Sequence, residues 1–259
     1  MLKIKDLIYL NSFNISEDSI DFQADSLKKK DSFVDLYASA VLGNGIKIID
    51  DRQKYIDIFR QQSSEYNICR FVPASGAATR MFKRLISFYN NFEDFDIEAG
   101  GFYSVKNSFD NLDKFAFWSE LGKEISDISD KKYIAGKILY NGLNYSNLPK
   151  ALIKFHKYSE ELSTAFEEHF HESLGVYSGY QHIHFTVSED FIEDFKIELD
   201  LIKRKHRLAE FDISFSVQDK STDTISVDLE GDFVRDEAGN LLLRPGGHGS
   251  LIKNLNEID

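Results

Sequence analysis

Between Asn67 and Phe82 the chain reads Asn-Ile-Cys-Arg-Phe-Val-Pro-Ala-Ser-Gly-Ala-Ala-Thr-Arg-Met-Phe, and no other stretch limits the possible folds as strongly. A short apolar run ends at Pro73, passes through small residues only, and opens an amphipathic helix at Thr79, which predicts strand, tight loop and helix. Small side chains in such a loop allow backbone N–H groups to touch an anion at the helix N-terminus. Ala74, Ser75, Gly76, Ala77 and Ala78 leave that space, with Thr79 at the helix start and Arg80 as a cation beside it. A buried turn packed tightly on alanine would use the same residues, so the rest of the chain must decide between them.

With 259 residues the chain can form one large domain or two small ones whose core needs no disulfide or metal. An apolar content of 42% and only three prolines predict an ordered globular protein. The net charge of −12 excludes nucleic-acid binding over a broad surface, because neutralising phosphates needs clustered Lys and Arg, but leaves room for a local basic pocket. Cys69 is the single cysteine, so no intrachain disulfide forms and the composition suits a reducing cytoplasm; its place in a predicted strand makes it a buried structural residue. The N-terminus lacks a signal-peptide core, and no apolar run reaches the roughly 18 residues of a membrane span. A soluble, cytoplasmic protein without a membrane partner is expected.

Residues 1–66 read as an N-terminal helical region, with apolar spacing at Ile4, Leu7, Ile8 and Leu10, then at Phe33, Leu36, Tyr37, Val41 and Leu42, and again from Ile46 to Phe59. After the loop, Met81, Phe82, Leu85, Ile86 and Tyr89 form one helical stripe, and Phe102 to Tyr140 reads as two further helices. An aromatic stripe of that kind is core before it is a ligand site. A helix from Ser163 to His171 should be broken by Gly175 and Gly179. Gln181–Ser188 is the clearest strand, followed by a helix to about His206, then strands at Phe211–Gln218 and Thr224–Leu229. The alternation predicts an α/β fold over 67–259 with a mostly parallel sheet, helices on both faces, and a helical insertion at about 91–147.

Three segments place small or cationic residues at the end of a predicted strand or turn: Ala74–Arg80, Pro149-Lys150, and Arg244–Gly249. In an open α/β sheet the carboxyl ends of strands share one crevice, so these loops could converge on a phosphate. Val72–Met81 resembles the Gly-rich signature of sugar-nucleotide pyrophosphorylases, with Ser75 and Ala78 where that signature has Gly. Leu148-Pro149-Lys150 resembles their Pro-Lys motif. Gln218, and the run Arg244-Pro245-Gly246-Gly247-His248-Gly249, resemble the parts with which the UDP-sugar branch holds uracil, and all four motifs occur in the same order. Taken with Thr224–Asp228 and the residues after Gly249, nearly the whole chain beyond about residue 60 is similar to an uncharacterised bacterial family, DUF4301. Its members are longer, which would make this chain an N-terminal portion.

That resemblance implies a Rossmann-like, GT-A-like nucleotidyltransferase fold. It implies nucleotidyl transfer from a nucleoside triphosphate to a sugar phosphate, with Arg80 and Lys150 neutralising the triphosphate and Mg2+ bridging its phosphates. Main-chain groups of Ala74, Ser75, Gly76, Ala77, Ala78 and Thr79 would hold the phosphates. Gln218, Gly246 and Gly247 would hold the base, with Arg244 as a further phosphate cation and His248 also contacting the nucleotide; no metal-binding carboxylate is assigned. Two other classes stay open. A non-catalytic nucleotide sensor would keep the pocket without the chemistry. A metal-dependent hydrolase would use His169 and His171 or His182 and His184; the second pair shares a strand face, whereas the first would point about 200° apart on a helix. The basic run Lys203–Arg207 is expected to be a solvated helix end.

Overall fold

The N-terminal segment begins with helices whose ends are fixed by local hydrogen bonds. Helix α1 (Ile4–Asn11) starts where the Lys3 N–H donates to the Asp6 carboxylate at 2.8 Å, and α2 (Glu17–Lys28) where the Ser16 hydroxyl accepts from the Ser19 N–H at 3.2 Å. Glu17 and Asp18 in the first turn and Lys28 in the last complement the helix dipole. The computed structural model describes residues 2–29, 34–159, 161–176, 180–206 and 211–258, so the expectations placed on Phe33, Gly179 and Arg207 lie outside the described residues. No helix forms over 34–51. Strands β1 (Val41–Leu42) and β2 (Gly45–Ile46) pair around a turn instead, and Leu36 and Tyr37 are exposed. Periodicity alone does not hold a helix whose apolar stripe buries nothing. Helix α3 (Arg52–Gln62) begins later than expected, at the Asp51 cap.

The chain forms two compact units, Met1–Cys69 together with Gln218–Asp259, and Arg70–Val217. In the second unit β3 (Cys69–Pro73) leads through the small-residue loop to α4 (Lys83–Asn90). There follow α5 (Val105–Asp110), α6 (Trp118–Leu121) and α7 (Lys131–Gly136), the last continuing as a π-helical turn to Asn141. The two helices expected over Phe102–Tyr140 are thus several short pieces. Gly100, at φ 96°, and Gly101, at φ 55°, turn the chain just before the run, and within it Ser104 and Asp130 each cap a new short helix. An unforeseen hairpin of β4 (Lys154–Tyr158) and β5 (Glu161–Thr164) precedes α8 (Ala165–Val176); its first strand is mostly exposed and offers no apolar alternation. Helix α8 runs through Gly175, since one glycine costs a helix only about 1 kcal/mol.

Strand β6 (Gln181–Val187), α9 (Ile192–Lys205) and β7 (Phe211–Val217) complete the unit and match the sequence closely. The strand order is β3-β6-β7, and β6 and β7 are parallel with Gln181 opposite Phe211 and Val187 opposite Val217. Ile183, Phe185 and Val187 pack with Phe166 and Phe170 of α8 and with Phe195, Leu199 and Ile202 of α9. A second core joins Ala78 to Leu112, Phe117, Leu121, Ile134, Ile138, Tyr145 and Ile153, which anchors the helical insertion on the loop. Cys69 opens β3 and is exposed, not buried as expected.

In the other unit β8 (Thr224–Ile225) pairs antiparallel with β9 (Leu243–Arg244), and the chain reaches α10 (Ile252–Asn256). Thr224–Leu229 is therefore a short antiparallel ladder and not a strand of the parallel sheet. Its Ile225, with Leu241, shares a core with Leu10, Ile15, Ile20 and Ala24. A bidentate pair of 2.7 and 2.9 Å joins Arg235 to the buried Asp6 carboxylate. The division differs from the one drawn in the sequence: the break at Cys69 falls near residue 66, but 218–259 belong with the N-terminal helices. The fold is mixed α/β, with one three-stranded sheet and three two-stranded ones among the described residues. Among those residues no helix is long and apolar enough to cross a membrane.

Candidate functional site

The small-residue loop is clamped from two sides. At its start the Ala74 N–H donates to the Thr186 carbonyl of β6 at 2.8 Å, and the Ser188 hydroxyl donates to the Ser75 carbonyl at 3.1 Å. From the other side the Lys150 N–H donates to the Gly76 carbonyl at 3.0 Å and the Ala78 N–H to the Leu148 carbonyl at 3.4 Å, so that Ala77 and Pro149 form an antiparallel bridge. Two of the three converging segments, Ala74–Arg80 and Pro149-Lys150, therefore meet. Thr79–Phe82 forms a turn, and the helix begins at Lys83 and not at Thr79. Met81 and Phe82 both donate to the Ala78 carbonyl, which folds the turn back before α4 can start.

Which side chains face the open side follows from burial. Ala74 and Ala78 are 4% and 0% exposed and belong to the two cores, so the Ala78 methyl is spent on packing and does not crowd an anion. A Cβ added at Gly76 would meet nothing within 4 Å. The N–H groups of Ser75, Gly76, Ala77, Thr79 and Arg80 donate to no described residue. The side chains of Arg80 and Lys150 are exposed and have no partner among the described residues. Below the loop, the Thr186 hydroxyl is buried and likewise lacks a partner among them. The loop thus carries N–H donors and two cations without partners among the described residues, the groups an anion would bond.

The segments expected to hold a base lie in the other unit, and there they also meet each other. The Gln218 amide is 3.4 Å from both the Thr222 hydroxyl and the Gly246 carbonyl. Gly246 is required by space: a Cβ would fall 2.1 Å from the Ser250 hydroxyl and 2.6 Å from the Thr222 carbonyl. Gly247 stands in the open, Arg244 lies opposite Thr224 in the ladder, and His248 begins a 3-10 turn to Leu251. Asp219 is held at a pKa of about 2 by hydrogen bonds from the Lys253 ammonium and the Ser221 N–H, whereas burial raises that of Asp223.

The histidines are accounted for differently. His184 has Nδ1 2.7 Å from the Ser214 hydroxyl and Nε2 2.8 Å from that of Ser216, while His182 Nε2 is 2.9 Å from Ser214. Phe71 stacks on the His184 ring at 5.7 Å, and burial, then the neighbouring His182, lower its pKa. Both His184 nitrogens are thus engaged by serine. His169 is not in the group that His171 joins among the described residues. Glu167, His171 and His206 instead bring ligand atoms within 4.8 Å of one another, a grouping the sequence hid because His206 ends a different helix. The Glu167 oxygen that lies 2.7 Å from His206 also takes the Lys205 ammonium at 2.9 Å. Burial pushes the Glu167 pKa up, but the His206 and Lys205 hydrogen bonds outweigh it and leave the group ionised.

Beside the loop a cavity of about 750 Å³ opens against Arg80, Met81 and Phe82. Phe109, Leu112, Phe115 and Phe117 of the helical insertion and Ile153 and Phe155 line it further. The sequence placed several of these aromatics in the core; their spacing is the same whether the stripe packs on protein or surrounds a cavity.

Residues 3–259 match the family described as Domain of unknown function (DUF4301), and the chain belongs to that family. The match takes in the N-terminal helices as well as the region beyond residue 60. No curated protein matches the chain, and no solved structure does.

Proposed function

We propose that the protein binds a nucleoside triphosphate through the Ala74–Arg80 loop and transfers its nucleotidyl group to a phosphate-bearing acceptor such as a sugar phosphate. One observation carries this: the loop and Lys150 are tied into one unit, with five N–H groups unused and both cations exposed and unpaired among the described residues. In this reaction an acceptor phosphate oxygen attacks the α-phosphorus, and pyrophosphate leaves with the electrons of the broken P–O bond. Little covalent work falls to the protein; the need is positioning and charge neutralisation. The N–H groups of Ser75, Gly76 and Ala77 orient the phosphate oxygens. Arg80 and Lys150 offset the charge that builds on the leaving pyrophosphate.

Mg2+ takes oxygen ligands. The carboxylates that the chain delivers directly after Ser188, whose hydroxyl bonds the loop, are Glu189 and Asp190. Their chemistry fits that ion, and Asp190 is exposed. Bound there, the ion would neutralise phosphate charge. Release of pyrophosphate from each of the four NTPs, with Mg2+ and a panel of phosphate monoesters that includes sugar 1-phosphates, tests the activity. Turnover that is lost in Arg80→Ala is expected; nucleotide binding without turnover for any acceptor would favour the sensor.

A further inference from the structure

The cavity beside Arg80 joins a cationic lining to an aromatic one. Among the described residues its lining includes Arg80, Arg84, Lys114 and Lys154 and contains no Asp or Glu, although the chain carries 43 acidic residues against 31 Lys and Arg. Between these cations the wall is apolar and aromatic. At its rim Phe102 and Tyr103 are 79% and 78% exposed, and Phe115 and Phe155 are partly so. Its volume of about 750 Å³ falls in the range of small-molecule sites, roughly 300–1,000 Å³.

The four cations differ in how they are held. Lys154 is 2.8 Å from Glu120, whose carboxylate lies outside the lining, and Lys114 is 2.6 Å from the Asn111 side chain. The Arg84 guanidinium rests on the Ala99 carbonyl and lies where a Cβ at Gly100 would be. Arg80 has no such tie among the described residues and belongs to both the cavity and the phosphate loop. A ligand matching this arrangement has an anionic end at Arg80 and an apolar body reaching toward Phe109 and Phe115.

We propose that this cavity takes the acceptor, and that the acceptor is a phosphate monoester of an apolar alcohol, aliphatic or aromatic. This deepens the nucleotidyl-transfer proposal and rests on it. A bare sugar phosphate would leave the aromatic wall unmatched, whereas an apolar body buries it. The phosphate oxygen of the monoester attacks the α-phosphorus of the NTP; a P–O–P bond forms, the α–β P–O bond breaks, and pyrophosphate departs. The product is a nucleoside diphosphate ester of the alcohol.

Calorimetry on the full chain with octyl phosphate below its micelle concentration, phenyl phosphate, octanol and inorganic phosphate tests the ligand class, alongside each NTP with Mg2+. Octyl or phenyl phosphate is expected to bind at least about 100-fold more tightly than inorganic phosphate, and the one that does identifies an aliphatic or an aromatic body. Phe115→Ser, at a partly exposed site, should weaken the monoester about tenfold and leave NTP affinity unchanged; Lys114→Glu should do likewise through charge. The bound monoester should be consumed with pyrophosphate release. NTP binding without any preference for the monoesters would overturn this proposal and leave the nucleotide site standing. Monoester binding without NTP binding, or displacement of NTP by the monoester, would overturn the acceptor role together with the transfer reaction.

Discussion

Arg80 and Lys150 gain nothing for the fold from their charges, because both are exposed and unpaired among the described residues. Their replacement by alanine should therefore leave melting within about 0.5 kcal/mol of wild type while lowering the transfer rate about 10²- to 10³-fold each. Steady-state kinetics beside a melting curve separates the two effects, and an unchanged rate in either variant removes that residue from the site. The glycines of the Arg244–Gly249 run make a sharper pair. Gly246→Ala must displace the Ser250 hydroxyl and the Thr222 carbonyl and should destabilise by about 1–3 kcal/mol, whereas Gly247→Ala meets open space and should cost far less. Equal denaturation midpoints for the two would contradict the geometry.

Asp6 shows how one residue ties the ends of a discontinuous unit. The Arg235 guanidinium beside it holds its carboxyl at a pKa of about 2, below the ordinary 3.8. Its stabilisation is thus complete above about pH 3.8 and is lost as pH falls toward 2. Asp6→Asn should lower stability near neutral pH by about 2–3 kcal/mol and flatten that acid dependence, which urea melts from pH 5 to 2 would record.

Among the elements, β6 presents two different faces. Ile183, Phe185 and Val187 face the aromatic core with α8 and α9, and Phe166→Ala there should cost about 3–5 kcal/mol. The other face carries His182 and His184 on the β7 serines. Burial lowers the His184 pKa from 6.5, so the folded chain keeps it neutral. Stability should be level above about pH 6.5 and decline below it, as the unfolded chain takes the proton first. Imidazole NMR titration that places His184 at or above the ordinary value would contradict this.

These elements also show where sequence patterns suffice. Strands β6 and β7 and helix α9 are legible because alternation and a capped amphipathic pattern agree with what they bury. The helix expected around Leu36 and Tyr37 fails because its stripe finds no core, and the 102–140 segment fragments because the caps Ser104 and Asp130 each start a new helix within one continuous apolar pattern. The loop and Lys150 were legible as neighbours because a strand end and a Pro turn each fix a direction. The cavity and the Glu167 cluster were not, since both depend on which helices pack together.

At the scale of the whole molecule, the net charge of −12 makes any unpaired cation informative, and the two compact units divide the sequence-predicted residues between them. The phosphate loop, Lys150 and the cavity belong to Arg70–Val217; Gln218 and the Arg244–Gly249 run belong to the other unit. Each set is assembled within its own unit by hydrogen bonds or packing. Nucleotide binding at the loop is the central proposal, and the most direct measurement is the thermal shift of the full chain with ATP, CTP, GTP or UTP and Mg2+. Binding at 100 times Kd should stabilise the protein by about 2.7 kcal/mol with at least one nucleotide, and Arg80→Ala should shrink the shift. No shift with any of the four, or a full shift in Arg80→Ala, would contradict it.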